Sequence, residues 1–320
     1  MTVRAKIAVV VLNYNSAAYT LRCLQSLQRC TVDRAGVAIV LVDNHSLAAD
    51  RQLLEGLPGD AVTCVWSERN LGFAGGMMLG ASAVQAEYYF FLNNDCEFLN
   101  DVLALLAEFM DTHPQAALCG ARMFDAKGRP RSSFGYFPSL PLALFGSSVL
   151  RLFHPRRYPG RRKSYRQPVE VSVVTGAAMF VRATVLQALG GLDTGYFLYC
   201  EEEDFAWRIR QAGWQAYHVP EAEIRHTGGA SSKAPGLQTA LQREYYISLF
   251  RYLRKHHGPA YAFAMRVLVA AKLLRRAFFG RVPYRLLRFV LRGGPSSESM
   301  RYRQELQASA ADQLQSDNAD

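Results

Sequence analysis

"FFLNNDCEF", Phe90 to Phe98, is the stretch on which the fold turns. Two phenylalanines and a leucine run straight into Asn93, Asn94 and Asp95, with Glu97 just behind. A continuous apolar run such as "YYFFL" reads as a strand buried on both faces. The pattern occurs twice upstream. "KIAVVVLNYNS" carries a β-branched run, Ile7 to Leu12, that breaks at Asn13, and "VAIVLVDNHS" ends on Asp43 and Asn44. A further strand is expected around Val62 to Trp66. Helical stretches fall between the strands. Leu21, Leu24 and Leu27 recur at helix spacing, "NLGFAGGMMLGASAV" is a loop entering a helix, and Asn100 can cap a helix whose face is Val102, Leu105, Leu106, Phe109 and Met110. Alternating strands and helices predict an α/β fold, a mostly parallel sheet flanked by helices. Ligands bind such sheets beyond the carboxyl ends of the strands. The polar residues that end these strands are therefore expected on one ligand edge.

The chain has 320 residues, 50% hydrophobic and 12% aromatic, which is ample for a core and excludes a disordered protein. Its net charge of +10 fits an acidic partner such as nucleic acid, anionic lipid or a phosphorylated small molecule. Six scattered cysteines show neither zinc spacing nor a disulfide ladder, so a reducing cytosol is expected. The N-terminal apolar run is too short for a signal peptide. No run approaches the ~18 apolar residues of a spanning helix.

Asp95 and its neighbours fit a strand-end turn, or hard oxygen ligands for Mg²⁺ or Mn²⁺ at a diphosphate. "NLGFAGGM" is not a dinucleotide fingerprint, because those glycines should directly follow the first strand. The middle, 125–167, reads as less regular and holds the basic cluster "RLFHPRRYPGRRKSYRQ". "VEVSVVTGAAMFVRATVLQALGGLD" predicts strand, glycine turn, strand and short helix. Glu201, Glu202, Glu203 and Asp204 are four acids opening a helix that stops at Gly213. They could simply complement the helix dipole. Their apolar flanks, "YFLYC" and "FAWRI", favour a cleft and a general base. His226 lies in the glycine-bounded loop "EIRHTGGAS", and a lone histidine there is of interest only in company with Asp95.

Taken in order, "VVLNYNS", "VLVDNHS", "RNLGFAGGM", "FFLNND", "VTGAAMFVRATVLQALGGLD", "YFLYCEEEDFAWRIRQAGW" and "IRHTGGAS" resemble the inverting family 2 glycosyltransferases of GT-A fold, closest to the bacterial rhamnosyltransferase-like subgroup. The resemblance implies a nucleoside diphosphate sugar donor (dTDP-rhamnose by subgroup) and a divalent metal, Mg²⁺ or Mn²⁺. The acceptor implied is a glycan or a polyprenyl-diphosphate-linked sugar of cell-surface polysaccharide synthesis. It also assigns residues. Asp95 and His226 would hold the metal, with Asn93 in the place of the first acid of an Asp-x-Asp motif. Asn13, Asn15, Asp43, Asn70, Gly72, Gly75, Asn93 and Asn94 would bind the donor. Glu202 would be the catalytic base. Gly176, Ala177, Glu201 and Asp204 would shape the acceptor site. Relatives often carry asparagines where this chain has Met77 and Met78. Two alternatives stand beside this reading. A nucleotidyltransferase would need a glycine-rich loop after strand one, and a degenerate binding protein would have lost Asp43, Asp95 and Glu202.

Beyond Gly236 the chain reads as helical and basic, with no acid between Glu244 and Glu298. Phe263, Val267, Ala271, Leu274 and Phe278 share one helical face, and Arg281, Arg285, Arg288 and Arg292 form a stripe. That pattern fits an interfacial helix on an anionic membrane surface, here the cytoplasmic face of the inner membrane. A helix packed on the catalytic domain or a homo-oligomer contact are the other readings. Nucleic acid is disfavoured, because the basic residues alternate with apolar faces. The expected division is a catalytic domain 1–236, a helical extension 237–294 and a disordered polar tail 295–320.

Overall fold

The computed structural model describes residues 5–57, 61–161, 163–228, 237–280 and 283–304. Gly229 to Ser232, Arg281 and the tail beyond Gln304 lie outside the described residues.

Strand β1 (Ala5–Asn13) leads into α1 (Ala17–Cys30), β2 (Val37–Asp43), α2 (Ala48–Glu55), β3 (Thr63–Trp66), α3 (Gly72–Ser82) and β4 (Ala86–Asn93). These four strands pair in parallel in the order β3-β2-β1-β4. Register brings the polar ends level: Asn13 faces Asp43, and Leu12 faces Asn93. The three polar strand ends thus lie together at one edge of the sheet, as expected.

Next come β5 (Cys96–Phe98), α4 (Val102–Thr112), β6 (Ala116–Phe124), β7 (Phe134–Gly135) and α5 (Leu140–Phe153). Then follow β8 (Val169–Val171), β9 (Val173–Val174), β10 (Ala178–Arg182), α6 (Ala183–Ala188), α7 (Glu201–Gln211) and β11 (Gln215–His226). The nine-stranded sheet continues β4-β10-β6-β11-β5. Here β10 runs antiparallel to β4 and β6, and β11 runs parallel to β6 but antiparallel to β5 and β8. The parallel character holds in the first half, and the second half is mixed. β7 and β9 form a separate small ribbon.

Two apolar layers cover the sheet. One contains α1 and α4 over Val9, Val11, Phe90 and Leu92. The other contains α3, α6 and α7 over Val10, Val42 and Phe91. Strand side chains alternate between faces, so each strand feeds both layers. Helix α3 lies close on β1 and β2 because Gly76 and Gly80 leave room. A Cβ at Gly76 would stand 2.3 Å from Leu12, and one at Gly80 2.4 Å from Val10. The cap of α4 is Asp101, accepting from the Ala104 amide, and not Asn100. The Asn100 side chain instead bridges to the Glu221 carbonyl and the Glu223 amide of β11.

The C-terminal part is α8 (Leu237–His257), α9 (Pro259–Phe278) and α10 (Tyr284–Leu291). Leu249, Phe250, Tyr252 and Leu253 of α8 are buried in the α7-side core, so the extension is packed on the catalytic half. Of the expected polar tail, residues 295–304 are described, and the rest lies outside the described residues. Glu298 pairs with Arg243 and Arg292, the Met300 amide donates to Glu244, and the chain is helical over 300–304.

Candidate active site

The edge of the sheet is held by a buried polar network centred on Asn13. Its amide nitrogen lies 2.9 Å from Asp43, 3.0 Å from the Ser46 hydroxyl and 2.9 Å from Asp50. Its carbonyl oxygen accepts from the Thr20 hydroxyl at 2.8 Å. Asn94 turns into the same network and donates to Ser16 at 2.7 Å and Thr20 at 2.8 Å. Asn13 is wholly buried and Asn94 nearly so. Both brace the β1–α1 turn from behind the strand ends. Asp43 is also buried, with its other oxygen on the Ser46 amide. Asn15 is exposed, with φ of 50°, and accepts from the Leu47 amide.

A second brace was not anticipated. Asn44 donates to Asn70 and to the Gly72 carbonyl, and accepts from the Leu71 amide. Its signal was a second polar residue immediately after Asp43. Asn70 also receives the Gly72 amide. Gly72 has φ of +74° and a Cβ there would stand 2.2 Å from the Phe197 carbonyl, so glycine is required. At Gly75 a Cβ would stand 2.8 Å from the Leu71 side chain. Met77 is in the core and Met78 accepts from the Leu192 amide through sulfur. These two positions make packing contacts that asparagine would not.

Asp95 and His226 meet because β5 pairs with β11 in a register that sets Cys96 opposite His226. His226 Nε2 is 3.1 Å from Asp95 Oδ1. Burial works to raise the Asp95 pKa, but the His226 hydrogen bond and charge and nearby backbone N–H groups outweigh it and leave it lowered. Asp95 is thus an anion facing an imidazole, a hard oxygen and a borderline nitrogen that fit Mg²⁺ or Mn²⁺. The Cys96 sulfur is also within reach, all three ligand atoms lying within 4.8 Å of one another. Burial holds its thiol well above the usual range, and it donates to the Ala177 carbonyl, so it is a poor ligand. Arg131 fixes the His226 carbonyl at 2.9 Å, a contact across 95 residues that local sequence gave no means of finding.

Ala177 links this centre to the acids. Its carbonyl accepts the Asn93 amide at 2.9 Å, and the preceding Gly176 amide donates to Glu202 at 3.4 Å. A Cβ at Gly176 would stand 3.3 Å from the Glu202 carboxylate, a tight contact that the loop avoids without a side chain. The turn into α7 is unusual. Tyr199 and Cys200 both have positive φ, 71° and 64°. Consecutive left-handed non-glycine residues store strain of about 1–3 kcal/mol each, a feature that collects at functional sites.

The four acids do not share one environment. Burial raises the pKa of Glu202, opposed by hydrogen bonds from its own amide, Glu203 and Gly176. Glu201 and Glu203 are held well above the usual range, by burial first and by the Glu202 charge second. Of the three, Glu202 is the one against the Gly176 loop. Asp204 is different. It is fully buried and receives Arg208 at 2.8 Å, His256 at 2.7 Å and Lys255 at 2.6 Å. The acceptor role expected for Asp204 does not fit this position, since all its capacity is spent tying α7 to α8. Helical geometry explains the split, because successive residues point about 100° apart.

The glycosyl transferase family 2 profile matches residues 8–190. The N-acetylglucosaminyl-diphospho-decaprenol L-rhamnosyltransferase of Mycobacterium tuberculosis is 26% identical over 293 residues, spanning 84% of this chain and 91% of the relative. The rhamnosyltransferase WbbL of Escherichia coli is 28% identical over 171 residues, 53% of this chain and 62% of that protein. Among solved structures, a mannosyltransferase from Pyrobaculum calidifontis in complex with GDP-Man and Mn²⁺ superposes with TM-score 0.55 at 17% identity, covering 94% of this chain and 83% of the other. GalNAc-T7 with UDP, GalNAc and Mn²⁺ gives TM-score 0.56 at 17% identity, over 78% of this chain and 48% of the other. With the family profile covering more than half of its length, this chain belongs to glycosyl transferase family 2 and is a glycosyltransferase built on the GT-A fold.

Proposed function

We propose that the enzyme transfers a sugar, with inversion, from a nucleoside diphosphate donor to a polyprenyl-diphosphate-linked acceptor. L-Rhamnose from dTDP-rhamnose is the donor sugar favoured. The observation that carries this reading is the continuous contact from Asp95 and His226 through Ala177 and Gly176 to Glu202. One end suits a diphosphate, the other a hydroxyl proton. The mycobacterial and enteric relatives, both rhamnosyltransferases, support rhamnosyl transfer, and the first also supports a lipid-diphosphate acceptor.

Asp95 and His226 would hold a divalent metal, which when bound supplies positive charge to the departing diphosphate. The braced loops at Asn15, Asp43 and Asn70 to Gly72 would orient the nucleotide. Glu202 would take the proton from the acceptor hydroxyl in a single displacement. Holding both substrates in line removes much of the entropic barrier. No covalent nucleophile is needed.

Among the described residues no helix is long and apolar enough to cross a membrane. We place the enzyme peripherally, on the cytoplasmic face of a membrane, where such an acceptor presents its sugar. The support is the α9 surface. Its buried residues are Ala262, Met265, Ala270, Leu273 and Ala277, while Phe263, Val267, Leu274 and Phe278 are exposed.

The test is a panel of nucleotide sugars with Mg²⁺ or Mn²⁺, each with a lipid-diphosphate acceptor and a soluble glycan. The expected product is a glycosylated lipid with inverted anomeric configuration by NMR. A retained configuration, or nucleotidyl transfer from a sugar phosphate, would refute the reading.

A further inference from the structure

A cavity of about 250 Å³ lies between α5, α7 and the α8–α9 junction, apart from the Asp95–Glu202 site. Its walls are aromatic. Phe137 meets Trp207 edge to face at 5.0 Å, Tyr136 meets Tyr158 at 5.2 Å, and His257 stacks on Tyr261 at 4.6 Å. Tyr136, Phe137 and Tyr158 are buried, so these rings form a fixed apolar floor. His154 and Arg157 line the cavity from an exposed segment. The guanidinium of Arg157 lies 5.9 Å from the Tyr158 ring, and among the described residues no carboxylate pairs with it. An apolar floor with a free cation at its rim matches an amphiphile with an anionic head.

Helix α5 forms one wall and has two sides. Pro141 and Leu150 face the cavity, while Phe145, Leu152 and Phe153 are exposed at 60%, 79% and 73%. The helix is broken at Gly146, with φ of 74° and ψ of 162°, and none of its residues is buried. It is joined to α9 by the Leu140 amide donating to the Tyr261 hydroxyl and by Lys272 on the Ala143 carbonyl. Helix α5 thus presents one apolar side to solvent and the other to the cavity, so a chain meeting the outer side of α5 would meet the cavity next.

Two elements run from the cavity to the base. Trp207 and Glu202 are five residues apart on α7, a rise of about 7.5 Å. Ser172, in the lining, and Gly176 are four residues apart, at most about 13 Å of extended chain. These spans suit the part of an acceptor between its lipid and its reacting hydroxyl. We propose that the cavity seats the isoprenoid-diphosphate part of the acceptor, the first isoprene carbons against Phe137, Tyr158 and Trp207 and the diphosphate against Arg157 and His154. The inference rests on the lipid-linked reading of the acceptor. The cavity is smaller than the roughly 300–1,000 Å³ of pockets that enclose a drug-sized ligand, so only the head-proximal carbons fit.

Calorimetry tests this with farnesyl diphosphate, inorganic diphosphate, farnesol and N-acetylglucosamine. Each titration contains EDTA, which removes the metal that would hold a diphosphate at the donor site. Farnesyl diphosphate is expected to bind more tightly than any other probe. Arg157→Ala removes the cation and Leu150→Trp fills the space. Each should weaken that binding by about tenfold or more, the scale of one charge-assisted contact or one lost apolar seat. In transfer assays the KM of a polyprenyl-diphosphate-linked acceptor should rise similarly, and that of a soluble acceptor without isoprenoid should not. Absence of farnesyl diphosphate binding by the wild type, or tighter binding of N-acetylglucosamine, overturns the site. Transfer to the lipid-linked acceptor with unchanged KM in both variants overturns the site while the functional reading stands. Binding that both variants weaken, without transfer to any lipid-linked acceptor, supports the site and refutes that reading.

Discussion

Glu202 has one carboxylate oxygen on the Gly176 amide and its other oxygen without a hydrogen-bond partner among the described residues. A buried oxygen left free is costly unless something else engages it. An acceptor hydroxyl is the group the proposed chemistry brings there. Glu202→Gln keeps the shape and removes the base, so the transfer rate should fall by roughly two to four orders of magnitude with donor affinity retained. Glu203→Gln should be much milder, because it is Glu202 and not Glu203 that receives the Gly176 amide. The reverse ranking in single-turnover assays would move the base by one residue. The raised pKa of Glu202 sets the acid limb of kcat/KM above the ordinary carboxylate range, with activity rising as pH rises through it. The Gln variant should lose that limb. Stability runs the other way. Glu201, Glu202 and Glu203 hold more protons folded than unfolded between the ordinary and the raised values, so rising pH across that window destabilises the fold. At the other end of the site, Asp95→Ala should abolish turnover and metal-dependent donor binding while the far-UV circular dichroism is unchanged. Normal transfer by that variant would remove Asp95 from the metal.

Helix α7 carries the base, and the Asp204 cluster sets its position. Arg208 spans from Asp204 to the Leu189 and Gly191 carbonyls, while Lys255 and His256 arrive from α8. Burial acts to raise the Asp204 pKa, but His256, Lys255 and Arg208 outweigh it and hold it well below the usual range. Its contribution to stability is therefore complete above the unfolded carboxylate pKa and is lost as pH falls through the lowered folded value. Asp204→Ala takes the carboxylate from Arg208 and His256, while Lys255 keeps Asp193; removing one partner of a buried pair costs about 3–5 kcal/mol. A thermal midpoint within a degree of wild type would show that the cluster does not hold α7. Much of this architecture was legible in the sequence, because β1, β2 and β4 each end an apolar run on polar residues and registers follow from that. What Asn13, Asn94 and Asp204 do was not. A motif marks where a polar residue sits along the chain, but its partners, such as Asp50 or His256, come from distant segments. Helix α5 falls in a stretch that reads as irregular because Gly146 interrupts its period and, although Leu140 and Ala143 pack on the core, none of its residues is fully buried.

At the scale of the whole molecule, α9 and α10 carry no acid, and their exposed side chains are apolar and basic. Helix α9 buries alanines and exposes phenylalanines, the reverse of what a helix on a water-facing surface does. Arg285 and Arg288 are exposed on α10 beside its buried Leu286, Leu287, Phe289 and Val290, as the arginine stripe predicted. Each cation near an anionic bilayer is worth about 1 kcal/mol, and the attraction is screened within a Debye length of ~10 Å at 0.1 M salt. Attachment should therefore be firm at low salt and weaken as salt rises. Deleting the helices would not test this cleanly, since Leu273, Leu286 and Val290 belong to the core. Point changes on the exposed face avoid that problem. Phe263→Ser combined with Phe278→Ser should leave the thermal midpoint and donor binding unchanged. It should release the protein from phosphatidylglycerol-containing vesicles in flotation assays. It should also slow transfer to a lipid-linked acceptor more than to a soluble one. Wild-type protein that ignores such vesicles at low salt would exclude the anchor. If the double variant then lowered the oligomeric mass in solution, the same face would be a contact between two copies of the chain.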